Sequence, residues 1–494
     1  ALYGYLGCLH ADPACVDCLA EVGEVYFARE EWGDAVRVWE ATLARDPGRD
    51  GIADRLAAAR ERFGGGSIVR DPRGPRIPIG TASASDDGPL QLRLVARFQN
   101  YDPAPTDPAD HYDPHVASPK SVRFLPDGDR VYVNALEGFE TLVYDPIALV
   151  KIGVVPHTFA APAEPLFGGV DTVFGYPYNR TPPDGAANRF SGKPVESELS
   201  HGHLLWVPYY RRDWDVGGTS PSAVAIVDTD RDRIVRVLPT GPIPKYVAAS
   251  PDGQWVAITH WGDNTLGIVD TRGGDPASFA YLPDRLVVEQ ALPQDNLANQ
   301  DRDSACGLCL RGTVFTPDSR TLLVARMGGG GIAGFSAPHG RRRYWAYLGT
   351  VTGEPPTPRH LVVSADGEDL YVSSNRSGFV SRIGLQDVVD ALHRANGGAV
   401  ALDGWTSTRV GGGARTIELS PDGRTLFVAV NDASELVAVD VATMAVVARV
   451  RTDSFTVGLA VSPDGRRVWT TSQGRGGAGG NSVCVYDVVV AEAP

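Results

Sequence analysis

Over most of the chain, apolar and polar residues alternate in short runs, and the runs come in sets. Each set has an apolar strand, a turn and a second apolar strand. The turns are Pro126-Asp127-Gly128, Pro251-Asp252-Gly253, Pro317-Asp318-Ser319, Ala365-Asp366-Gly367, Pro421-Asp422-Gly423 and Pro463-Asp464-Gly465. Pro presets the entry dihedral, Asp bonds its own backbone and Gly takes the positive φ. The strands that follow are 130–134, 255–259, 321–325, 370–373, 426–429 and 468–471, with third strands such as 266–270 and 436–440. An irregular seventh set fills the gap between the first two turns: 195–199, a His201-Gly202 turn, 203–209 and 223–228. Short strands in seven sets predict a mainly β fold, a seven-bladed β-propeller. Residues 90–98 form the outer strand expected to close the ring.

The front of the chain has a different period. Residues 19–47 carry apolar and small positions at helical spacing in two stretches, broken near Trp32-Gly33, and a further helix is expected over 51–63. Gly23, Tyr26, Ala35, Trp39 and Pro47 make this segment resemble a tetratricopeptide repeat (TPR), with Thr42 a mild departure. One such repeat cannot bury its own face. It is expected to pack on the rest of the chain, a partner groove being the other reading. The expected division is a helical TPR-like domain over 1–63, a Gly/Pro/Ser/Asp-rich linker over 64–89 and the propeller over 90–494.

Val131-Tyr132-Val133-Asn134 and the stretch 420–431, Ser-Pro-Asp-Gly-Arg-Thr-Leu-Phe-Val-Ala-Val-Asn, are similar to the repeats of YVTN-type bacterial propellers. The likeness covers about 118–490. It implies the fold and no single function, because that superfamily includes surface proteins, lyase-like enzymes and the large chain of quinone amine dehydrogenases.

Composition then narrows the partners. The 494 residues carry 46 Lys and Arg against 60 Asp and Glu, a net charge of −14. So acidic a chain is not expected to bind nucleic acid. No apolar run is long enough for a transmembrane segment. The chain begins at Ala1 with no signal segment, leaving a processed end or a fragment as alternatives. Cys8, Cys15, Cys18, Cys306 and Cys309 are disulfide candidates, which suits an exported bacterial protein, periplasmic or extracellular. Zinc at the two CxxC pairs is the competing reading. Cys484 lies in an apolar strand and reads as a buried small hydrophobe.

One register carries candidate chemistry. Seven residues before a turn Asp lie Lys120, Lys245, Arg311, Arg359 and Arg415, with Val457 in the last set and Lys193 near the irregular one. These positions begin the innermost strands, at one rim of the central channel. Arg326, ending a second strand, is expected at the same rim. Such a collar would bind a carboxylate, a phosphate or an acidic side chain of a partner. The alternative is neutralisation by nearby Glu137, Asp213, Asp263 and Asp432.

Other chemistry is sparse. His115, His157, His260 and His360 lie near predicted rim loops, and copper or iron held by them is an alternative. His260, beside the collar, is the first candidate for a catalytic acid–base residue. No GxSxG, P-loop, Rossmann or CxxCH motif is present, and no cofactor is expected. The irregular stretches 158–192 and 275–310 suggest partner-binding loops. The resulting expectation is an exported interaction scaffold, a subunit of a larger envelope or redox complex. It would use its loop face and helical repeat for protein partners and its cationic rim for an anionic ligand. The alternative is an enzyme acting on an anionic small molecule at the axis.

Overall fold

The computed structural model describes residues 15–28, 32–64, 77–83, 90–170, 172–178, 190–213, 215, 220–293, 301–340, 343–474 and 481–490. Cys8 and most of the expected linker lie outside them. Among the described residues three helices come first: α1 (Val16–Ala28), α2 (Trp32–Arg45) and α3 (Ile52–Gly64). They share a core of Val22, Tyr26, Ala35, Trp39 and Leu56. Gly23 lies flat against the Trp39 indole, where any Cβ would collide with the ring.

The rest is a seven-bladed β-propeller. The six regular blades begin with the inner strands Pro119–Phe124, Pro244–Ala249, Leu310–Phe315, Pro358–Val363, Ala414–Leu419 and Thr456–Val461. They are blades 1 and 3 to 7. Blade 2 is the irregular one: its inner strand is split into Phe190–Pro194 and Glu198–Ser200, both pairing with Leu204–Arg212. The turn chemistry explains the regular blades. Gly253 and Gly423 both sit at φ 70°, and Ser319 takes the same left-handed region at φ 60° where Gly is missing. A hydroxyl two residues before the Asp reinforces five of the six turns. Ser250, Thr316, Ser364, Ser420 and Ser462 each donate to the turn carboxylate at 2.5–2.6 Å.

Strand Leu90–Gln99 closes the ring by pairing antiparallel with Asn481–Val490 of blade 7. A buried polar cluster locks it there. The Arg97 guanidinium donates to Asp110, to Asp453 at 3.2 Å and to the Ile77 carbonyl at 2.9 Å. Asp453 also accepts from Tyr101 Oη at 2.9 Å and Ser482 Oγ at 2.7 Å. Trp469, Phe98, Phe124 and Tyr144 pack around the same closure.

One element is new relative to the strand pattern. Helix α4 (Leu385–Ala395) is inserted after the third strand of blade 5. Its stripe of Leu385, Val388, Ala391 and Leu392 is buried over blade 4, with Leu392 filling the space left by Gly334.

The cysteines follow the disulfide reading in part. Cys306 and Cys309 are bonded to each other, which leaves no thiolate pair there for zinc. Cys18 is also disulfide-bonded, and Cys484 is buried. Among the described residues no helix is long and apolar enough to cross a membrane.

Candidate functional site

The inner strands bring one register together on the axis. Neighbouring blades are tied there by polar side chains seven residues after a turn Asp, each reaching the backbone of the next blade. Thr471 Oγ1 donates to the Lys120 carbonyl at 2.9 Å, Asn134 Nδ2 to the Glu196 carbonyl at 3.0 Å and Ser373 Oγ to the Arg415 carbonyl at 2.5 Å. These links make Glu196, not Lys193, the counterpart in blade 2 of Lys120 and Arg415. Gly312 and Gly458 let the strands close up: a Cβ on Gly312 would stand 2.6 Å from the Arg359 carbonyl, and one on Gly458 would strike that of Lys120. Around the axis the layer therefore reads Lys120, Glu196, Lys245, Arg311, Arg359, Arg415 and Val457, five cations to one carboxylate.

The acids that meet this layer differ from those expected. Glu196 lies 3.8 Å from Arg311, and Asp303, on the loop before blade 4, lies 3.0 Å from Lys245. Against its burial, Lys245 and Arg211 hold the Asp303 carboxyl below the usual range. Glu137 is taken by buried Lys193 at 3.2 Å and Asp263 by Arg285 at 2.7 Å. Asp213 accepts from the Ser191 amide at 2.9 Å. Burial, and then the like charges, depress the cations. Lys245 falls to about 7, Arg359 lies well below its ordinary value beside Arg311 and Arg415, and Lys120 is lowered by all four neighbours. Tyr210 and Trp261 flank the same rim, with Lys245 Nζ 3.7 Å from the Tyr210 ring centre.

A second level lies deeper on the channel. His360, next to Arg359, accepts a hydrogen bond at Nδ1 from the Ile417 amide at 3.0 Å. That places its ring proton on Nε2, which faces Tyr246 Oη in a short contact. Burial pushes the His360 imidazole down to about 3, so it stays neutral. Arg123 pairs with Glu198 at 3.0 Å. Burial raises the Glu418 carboxyl to about 7, with Arg123 opposing it.

Glu418 thus changes charge near neutrality, with a stated sign. A carboxyl whose folded pKa is raised stabilises the fold below the unfolded value and loses that contribution as pH rises through the folded one. Glu418→Gln is expected to raise stability by about 1–2 kcal/mol at pH 8.5, allowing for channel water, and to leave it unchanged at pH 5. Urea unfolding at the two pH values measures this; equal effects at both would refute it.

Three expectations are corrected. His260, proposed as catalytic, is fully buried between blades 2 and 3, held by Thr240 at 2.8 Å, Thr265 at 2.9 Å and the Gly241 amide. Arg326 turns from the axis to Thr350 Oγ1 at 2.8 Å and Glu289 at 3.0 Å. His115, His157, His260 and His360 do not form one metal site. His115 meets Glu140, His157 is buried between Thr141 and Tyr209, and His360 faces Tyr246. Among the described residues no group of three His, Cys, Asp or Glu could hold a metal ion. Glu196, Glu198, Glu418, Arg123 and Tyr246 were not foreseen. The signal available for Glu418 and Arg123 was their shared position four residues before a turn Asp.

A family model described as lactonase, seven-bladed β-propeller, matches residues 217–474, just over half of the chain. No curated protein matches. Among solved structures, the chain is 15% identical to hydrazine synthase of Kuenenia stuttgartiensis, with TM-score 0.49, covering 76% of this chain and 96% of that one. A putative 6-phosphogluconolactonase from Bacteroides uniformis is 16% identical, with TM-score 0.46, covering 67% and 84%. A β-propeller domain from Myceliophteria thermophila is 12% identical, with TM-score 0.49, covering 75% and 97%.

Proposed function

This chain belongs to the lactonase family of seven-bladed β-propellers, and on that premise we propose that its axial channel binds a small anionic molecule, a carboxylate or a phosphate ester. The single observation that carries this is the charge of one layer. Lys120, Lys245, Arg311, Arg359 and Arg415 share a register in an otherwise acidic protein, and among the described residues Glu196 lies by Arg311 and Asp303 by Lys245. Like charges held together raise the energy of the empty site, and a bound anion lowers it. Guanidiniums suit the planar, bidentate recognition of such groups.

The family's description supports ring-opening hydrolysis of a lactone as the reaction class. The deeper level carries matching groups: Glu418 takes or gives a proton near neutral pH, and Tyr246 donates its hydroxyl to a developing oxyanion. Binding comes first in the test. Calorimetric titration with inorganic phosphate and with gluconate is expected to show a single site. Affinity should fall as salt rises and drop about tenfold or more in Arg415→Gln. No heat with either anion would sink the proposal. The tetratricopeptide identity of α1 and α2 remains part of this proposal, supported by the Gly23–Trp39 packing. The YVTN subtype rests on the repeats at 131–134 and 420–431. The scaffold role draws no support from the structure or the comparisons.

A further inference from the structure

The chain has four lysines, Lys120, Lys151, Lys193 and Lys245, and Lys120 stands apart from the other three. Lys151 pairs with Asp113, Lys193 with Glu137 and Lys245 with Asp303. Lys120 has no carboxylate partner among the described residues. Its Nζ makes one long hydrogen bond, 3.5 Å, to the neutral amide oxygen of Gln473. That amide is fixed, because Gln473 Nε2 donates to Ser118 Oγ at 2.8 Å. Lys120 begins the inner strand of blade 1 and stays partly accessible to the channel.

Its surroundings withhold a proton. The charges of Arg415, Arg311, Lys245 and Arg359 act on it together with burial, and all of them favour the neutral amine. A lysine beside other cations is an activated nucleophile, because its lone pair is free at a pH where an ordinary lysine is protonated. Lys245 has a lowered pKa too, but its ammonium is engaged by Asp303 and the Tyr210 ring.

We propose that Lys120 forms an imine with a small oxo acid, a molecule bearing a carbonyl beside a carboxylate or phosphate, whose anionic end is held by Arg311, Arg359 and Arg415. The proposal rests on the anion-binding reading of the channel. In the step, the Nζ lone pair attacks the carbonyl carbon and the carbonyl oxygen takes up protons and leaves as water. A carbon–nitrogen double bond replaces the carbon–oxygen one, and no oxidant or reductant is consumed. The protonated imine carries positive charge, which the bound anion offsets.

The experiment traps the bond. The full chain is incubated at pH 7.5 with glyoxylate or pyruvate and cyanoborohydride, and the adduct is located by peptide mass spectrometry. A parallel calorimetric titration uses lactate, which has the carboxylate and no carbonyl. The expected result is labelling of Lys120 at least tenfold above the other three lysines, suppressed by excess phosphate. Labelling should vanish at that position in Lys120→Arg and Lys120→Met, whose folding is checked by circular dichroism. Lactate binding without a Lys120 adduct overturns the imine and leaves the anion site standing. Absence of both lactate binding and adduct overturns the two together. Preferential labelling of Lys245, or equal labelling of all lysines, also overturns the assignment to Lys120.

Discussion

Replacing Asp453 by Ala is expected to cost the propeller about 3 kcal/mol, the largest stability loss among the changes considered. Asp453 lies on the loop entering blade 7, and its carboxylate is 1% exposed or less. It accepts hydrogen bonds from Arg97, Tyr101 and Ser482, which belong to the closing strand, the loop after it and the last strand. Removing it strands three buried donors, each costing about 1–3 kcal/mol if no other partner is found. Arg97 keeps Asp110, so its charge remains paired and the loss stays below the sum. Asp453→Asn keeps the shape and one acceptor, and about half the loss is expected. Urea unfolding followed by tryptophan fluorescence reads both, since Trp469 packs against the closure. An Ala variant within about 0.5 kcal/mol of the parent would show that the ring closes without this carboxylate.

Arg359→Met is expected to act in two opposite directions. Arg359 is 8% exposed, faces Arg311 and Arg415, and donates to the Met327 thioether at 3.4 Å. Its charge is therefore a burden on the empty protein. Replacing a buried, poorly compensated cation by an apolar chain of similar length should stabilise the fold by about 1–2 kcal/mol. The same change removes a charge-assisted donor from the anion site, and affinity for phosphate or gluconate should fall by about 10- to 100-fold, or about 1.5–3 kcal/mol. Unfolding curves and calorimetric titration on one preparation check both arms. A destabilised variant that still binds normally would mean that Arg359 serves the fold and not a ligand.

The Pro-Asp-Gly turns were legible because each acts locally: Gly at positive φ and Asp on its own backbone need no distant partner. The closing strand was legible because an alternating apolar strand before the first repeat had to find an edge. Helix α4 was not: its sequence interrupts a blade between the third and fourth strands, and the burial of its stripe over blade 4, against Gly334, appears only once the blades are packed. The misplacement of His260 and Arg326 has one cause. Both lie eight residues after a turn Asp, and side chains alternate along a strand. Position seven, as in Thr471, Asn134 and Ser373, reaches the next inner strand, so position eight points away from it.

For the site, the pattern of residues along the chain was enough to identify the five cations, since a repeated fold carries equal positions to equal places. It was not enough to assign the acids. Between its inner and second strands blade 2 turns at His201-Gly202 in place of Pro-Asp-Gly, so the hydrogen bond from Asn134 to the Glu196 carbonyl shows which of its residues joins the layer. That Lys120 meets no carboxylate among the described residues, while its three fellow lysines each do, was likewise decided by ring closure. Closure sets Lys120 beside Gln473, more than 350 positions away, and faces it toward Arg311, Arg359 and Arg415. Charge interactions depend on distance and burial, and across so many residues only the closed ring determines either.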